Sequence, residues 1–223
     1  MTNKYLKNAK LSDAEFRKIL HLFCLEMDAL KASSYLSLNR NTINRIYQKI
    51  RIRISEICES ESPFESGEIE LDESYFGGKK RGKRGRGSQN KIPVFGIFKR
   101  GAKVYTQIVK NCSIAELLPI IEEKVSKDNV IYTDCFKSYD CLVDYGYKQH
   151  YRIKHTEQFA DGRNHINGIE NFWGICKVRL AKFRGISRKS FYLHLKECEF
   201  RYNYKDKNLY LFLLKNIRNK PIL

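Results

Sequence analysis

Residues 68–76 read EIELDESYF, a β-rich run in which Ile69, Leu71 and Tyr75 surround Asp72. Acids are depleted from strands, so an aspartate embedded among apolar strand residues invites a functional reading. Residues 129–136, NVIYTDCF, repeat the feature: Asp134 closes the apolar run Val130, Ile131 and Tyr132, the composition of a strand buried on both faces of a mixed sheet. If the two strands are neighbours, their carboxylates converge at the sheet edge. Unpaired, such a pair repels and holds protons to higher pH, a penalty that a bound divalent cation removes.

Working outward, residues 91–100 (KIPVFGIFKR) and 103–110 (KVYTQIVK) read as second and third strands, which with 68–76 suit an antiparallel meander. Residues 113–125 form an amphipathic helix capped by Ser113, with Pro119 at a kink or early turn. A helical 138–145, a fifth strand in 148–155, and two long helices over 167–183 and 187–204 follow. The order is βββ-α-β-α-β-α-α, a mixed five-stranded sheet flanked by helices, of α+β or α/β class. On the helix from Asn167, Ile169, Phe172, Trp173, Cys176 and Leu180 make one apolar stripe. Glu170 and Lys177 border it. Glu170 taken alone reads as a first-turn acid complementing the helix dipole, and Trp173 reads as core.

Ahead of the sheet, residues 12–54 carry helical periodicity without proline or glycine, with Phe16, Ile19, Leu20, Phe23 and Cys24 on one face. A short helix ending near Tyr35, a polar turn, and a helix from an Asn39 or Asn41 cap to about Arg53 read as helix-turn-helix. The second helix turns Ile43, Ile46 and Ile50 inward and exposes Asn41, Asn44, Arg45, Gln48, Lys49 and Arg51 for bases and phosphates. An ordinary hairpin serving dimerisation is the competing reading. Residues 56–68, EICESESPFESGE, have linker chemistry. The expected organisation is a helix-turn-helix domain over 1–57, a linker over 58–66 and the sheet domain over 67–223.

Charge narrows the partner. Forty-two Lys and Arg against twenty-five Asp and Glu give a net charge of +17, well beyond the ~2 to 8 that solubility asks of a small domain, so nucleic acid is the expected partner. Lys79, Lys80, Arg81, Lys83, Arg84 and Arg86 form a glycine-interrupted basic arm suited to a phosphate backbone. Lys177, Arg179, Lys182, Arg184, Arg188 and Lys189 form a second cluster. Seven cysteines with no C-x-x-C pair exclude a disulfide framework and a zinc ribbon, so zinc is not expected. No stretch matches a signal peptide or a membrane span, and the chain reads as soluble and cytoplasmic.

Several motifs in order resemble those of the DDE transposases of bacterial insertion sequences, with their RNase H-like, retroviral-integrase-like catalytic domain. LDESYFGGKKRGKRGRG resembles the first-aspartate motif of the ISXO2-like branch, and VIYTDCFKSY the second. HINGIENFWGICKVRL, with FRGI and ECEFRYN behind it, resembles the glutamate motif with its His-x-Asn-x-x-Glu-x-Phe-Trp pattern. The resemblance covers nearly the whole chain. It implies a catalytic and metal-binding triad of Asp72, Asp134 and Glu170, with Asn167 as the alternative third residue and Lys177 against a phosphate. It implies two Mg²⁺ or Mn²⁺ ions as cofactors, nicking of transposon ends, and transfer of the freed 3′-OH into target DNA. Partners would be the terminal inverted repeats and target DNA, in a homodimer or larger assembly on the nucleoid. His165 reads equally as a phosphate contact or a helix-entry hydrogen bonder. A junction resolvase and a transposase-derived regulator without chemistry are the competing functions.

Overall fold

The structure, a computed structural model, describes residues 3–7, 10–61, 64, 66–77, 91–153, 165–183 and 185–222. Its contacts divide the chain into two units, Met1–Ser60 with Lys189–Leu223, and Glu61–Arg188.

The first unit is helical. Helix α1 (Asp13–Cys24) opens with a capping box in which the Ser12 and Glu15 side chains each accept the other's backbone N–H. Helix α2 (Ala29–Leu36) is capped by Asp28 and ends at Ser37 in the left-handed region, φ 54°. That turn leads within three residues to α3 (Arg40–Glu59), capped by the Asn39 side chain. Ile43, Ile46 and Ile50 are buried as the periodicity predicts.

Two differences from the sequence reading follow from long-range packing. Helix α3 runs beyond Arg53 to Glu59, because Ile54 and Cys58 keep a buried face going. The C-terminal helices α6 (Arg188–Asn203) and α7 (Leu209–Asn219), with Tyr204 in the turn after α6, supply Phe200, Tyr204, Leu213 and Ile217 to the core of Phe16, Ile19, Ile43 and Ile50. Residues 189–223 therefore complete the N-terminal unit. Arg201 ties the pieces together, donating to the Phe23 and Cys24 carbonyls at 2.7 and 3.0 Å and to Glu197, which also accepts from Arg51 at 2.7 Å. Helix α7, capped by Asn208, has no counterpart in the sequence reading.

The second unit is a five-stranded mixed sheet in the order β3-β2-β1-β4-β5. Strands β1 (Glu68–Phe76), β2 (Ile92–Lys99) and β3 (Val104–Ile108) form the antiparallel meander. Strand β4 (Val130–Asp134) lies parallel to β1, and β5 (His150–Ile153) parallel to β4. The period-two alternation of β1 divides its side chains. Ile69 and Leu71 enter a core with Phe95, Ile97, Ile131 and, from helix α4 (Ile114–Lys124), Leu117, Ile120 and Ile121. Glu70 and Asp72 take the opposite face, against helix α5 (Asn167–Ala181). Gly96 lets that helix come close, since a Cβ there would lie 2.5 Å from the Trp173 ring.

Smaller departures have local causes. Residues 138–145 are not a helix: a 3₁₀ turn at Lys137–Tyr139 continues as i→i+3 turns that end at Gly146, φ 94°. Ser113 holds the N-cap position of α4 without a side-chain cap bond. Within the expected linker, Phe64 is pinned beside α4, its N–H donating to the Lys124 carbonyl at 2.7 Å.

Candidate active site

Asp72 and Asp134 are brought side by side by strand register. Leu71 pairs with Thr133 across the parallel β1–β4 ladder, and the two aspartates are the next residues along each strand. Asp134 Oδ1 accepts the Phe136 N–H at 2.9 Å, which turns the chain out of β4. Burial pushes the Asp72 carboxyl up to about 7, with Asp134 and Glu170 adding to the rise and the Glu73 backbone N–H opposing it. The Trp173 indole N–H lowers it slightly, although that N–H closes no well-formed hydrogen bond. An acid from the neighbouring strand and one from the covering helix thus both act on Asp72.

Glu170 stands in the first turn of α5 and is exposed, as are Asn167 and Lys177, while Ile169, Phe172, Trp173, Cys176 and Leu180 are buried as the apolar stripe predicts. Among the described residues no three His, Cys, Asp or Glu side chains close on one point as a metal cluster. The donor chemistry nevertheless fits a hard divalent cation: anionic oxygens, one of them on a carboxyl the fold leaves short of counter-charge.

The basic residues divide. Lys177 and Lys182 are exposed on and just after α5, whereas Arg179 is buried, its guanidinium 5.7 Å from the Phe183 ring centre, and does not join their face. Lys79, Lys80, Arg81, Lys83, Arg84, Arg86 and Arg184 lie outside the described residues, as does His155. On α3, Asn41, Asn44, Arg45 and Gln48 are exposed and Lys49 is half-buried. Arg51 turns instead to the Glu197 carboxylate. Beside this face is a cavity of about 770 Å³ lined by Lys7, Lys10, Asn39, Thr42, Arg45 and Lys49 among others. Lys7 and Lys10 were not singled out in the sequence, because nothing in residues 1–11 shows which helix they approach.

Glu70 and Arg100 were also missed. Glu70 is fully buried, accepting from Arg100 Nε at 2.8 Å and from the Ile169 backbone N–H at 2.8 Å. Burial and the neighbouring Arg152 lower the proton affinity of His150, whose Nε2 lies 2.9 Å from Thr133 Oγ1, so it pairs within the sheet as a neutral ring.

A mixed sheet that sets two aspartates together under a helix bearing a third acid defines an α/β domain of the acidic-site type that the sequence motifs resemble. Residues 65–203 match the family model described as the ISXO2-like transposase domain. A Haemophilus influenzae protein described as an uncharacterized transposase-like protein is 49% identical over 115 residues, 52% of this chain and 93% of that one. The chain belongs to the ISXO2-like transposase family. Among the described residues no helix is long and apolar enough to cross a membrane.

Proposed function

We propose that this chain binds the ends of its insertion sequence and catalyses divalent-metal-dependent DNA cleavage and strand transfer. The observation that carries the reading is Asp72: a strand carboxyl beside Asp134, raised to about 7 by burial and by Asp134 and Glu170. Such a group costs stability unless a cation joins it. Asp72, Asp134 and Glu170 would hold Mg²⁺ or Mn²⁺, with Asn167 one turn earlier as the competing third residue. When bound, the ions supply Lewis-acid polarisation of the phosphodiester and neutralise charge on the leaving oxygen. The chain's own groups do the rest. Lys177 and Lys182 hold the DNA phosphates beside the acids, and the buried Trp173 side of α5 keeps the helix against the sheet. The α3 face of Asn41, Asn44, Arg45, Gln48 and Lys49 reads the terminal repeats as the second helix of a helix-turn-helix, with Lys7 and Lys10 adding phosphate contacts. Joining two ends asks for at least a dimer in the DNA complex.

The test is nicking and strand joining on labelled DNA carrying the element's own ends, with Mg²⁺, Mn²⁺ or EDTA. Asp72→Ala and Asp134→Ala abolish both steps while end binding persists. Comparing Glu170→Ala with Asn167→Ala assigns the third ligand. Arg45→Ala and Lys49→Ala weaken end binding and each lowers the salt slope of log K by about 1. Undiminished nicking in Asp72→Ala removes the basis for the reading.

A further inference from the structure

The start of α5 is held from outside the helix. Its N-cap residue, Ile166, offers no side-chain cap, so the first-turn N–H groups need partners from elsewhere. One comes from β1: Glu70 Oε2 accepts the Ile169 N–H at 2.8 Å. The other carboxylate oxygen, Oε1, accepts from Arg100 Nε at 2.8 Å and lies 3.6 Å from His165 Nδ1. Arg100, just past β2, donates in turn to the His165 carbonyl and, at 3.2 Å, to Glu68 Oε2. Its guanidinium rests 3.9 Å from the centre of the Tyr132 ring on β4. An ion pair anchored on the sheet therefore grips the chain at both 165 and 169.

We infer that the Glu70–Arg100 pair is a positioning device for Glu170, fixing the height and rotation of the first turn of α5 relative to Asp72. This rests on the reading of Asp72, Asp134 and Glu170 as the reacting acids. Three facts support it. Glu170 directly follows the gripped residue. Glu70 is two residues before Asp72 on the same face of β1, so the strand that carries one reacting acid also sets the helix carrying another. Gly168 keeps the approach open, because a Cβ there would lie 2.1 Å from Phe98 Cε1 and 2.9 Å from Glu70 Oε2. A buried ion pair is a poor way to gain stability alone, since apolar residues of similar volume often do as well. Its charge-assisted bonds do fix direction and distance. Neither residue is assigned to touch DNA or the reacting atoms.

The experiment uses the full chain with Glu70→Gln and, separately, Arg100→Lys. Gln cannot accept from both Arg100 Nε and the Ile169 N–H while turning its own N–H₂ elsewhere, and Lys cannot bridge Glu70 to the His165 carbonyl. The first readout is hydrogen exchange without metal or DNA. The amides of Ile169–Phe172 exchange about tenfold faster, while those at the end of α5 are unchanged. The second is the Mg²⁺ dependence of end nicking, whose midpoint rises roughly 10- to 100-fold, as for other residues that orient a metal ligand, with the maximal rate recovered at high Mg²⁺. Arg100→Lys moves both readouts less than Glu70→Gln and serves where Glu70→Gln fails to fold. Unchanged exchange at 169–172 overturns the inference, as does a fall in maximal rate with no shift of midpoint. If the wild type shows no metal-dependent nicking but exchange at 169–172 still rises in the variants, the grip on the helix stands and the transposition reading falls.

Discussion

Replacing Asp72 by asparagine keeps the shape of the side chain and removes a charge that burial and two neighbouring acids disfavour. Burial, then Asp134 and Glu170, raise this carboxyl from 3.8 to about 7. An acid whose folded pKa is raised stabilises the native state below its unfolded pKa and loses that contribution as pH climbs through its folded one. The window here is pH 4 to 7. A shift of about three units corresponds to about 4 kcal/mol, an upper figure because Asp72 retains some solvent access. Without metal at pH 8, Asp72→Asn is accordingly more stable than the wild type by about 2 to 4 kcal/mol, and the two converge near pH 4. Urea unfolding of both proteins in EDTA across that range measures the gap. Magnesium at about 100 times its Kd returns about 2.7 kcal/mol to the wild type and much less to the variant. The sign of the difference at pH 8 decides the matter: a variant equal to or weaker than wild type in EDTA means that neither burial nor the neighbouring acids strain Asp72.

Two further substitutions probe how the units are built. Gly96→Ala puts a methyl 2.5 Å from Trp173 and 2.9 Å from Ile169, overpacking that costs about 1 to 3 kcal/mol; Trp173 is the sole tryptophan, so its fluorescence in a urea titration reports both the loss and the shift of α5. Lys196 is fully buried between Glu59 at 2.8 Å and Glu199 at 3.0 Å, so Lys196→Met removes the cation that both carboxylates share and costs about 3 to 5 kcal/mol. Circular dichroism melts measure that loss, and adding Glu199→Leu recovers part of it if the Lys196–Glu199 pairing carries it.

What could be read from sequence was what local pattern encodes. Asp72 and Asp134 stood out because an acid inside an apolar strand is an anomaly visible within a few residues. The inward isoleucines of α3 and the stripe of α5 follow from a 3.6-residue period. Arg179 shows how composition misleads where period is decisive: it was grouped with Lys177 and Lys182 by charge, yet it lies seven residues beyond Phe172 and three beyond Cys176, on the buried side. The packing of α6 and α7 with the first three helices has no local sign, since Phe200 and Leu213 are apolar residues whose partners on those helices lie more than 140 positions away.

Glu70 lies between these cases. Its partners are 30 and 99 positions distant, beyond any motif, and EIE reads as the polar face of an alternating strand. Yet that alternation puts Glu70 and Asp72 on one face of β1, and in the structure α5 covers that face and buries Glu70 beneath it. A buried carboxylate requires a cation or N–H donors. The donors open to it were a basic residue at the end of an adjacent strand and the uncapped first turn of the covering helix. With α5 laid over that face, an acid two residues before Asp72 needs a cation and backbone N–H donors, and Arg100 and the Ile169 N–H meet that need.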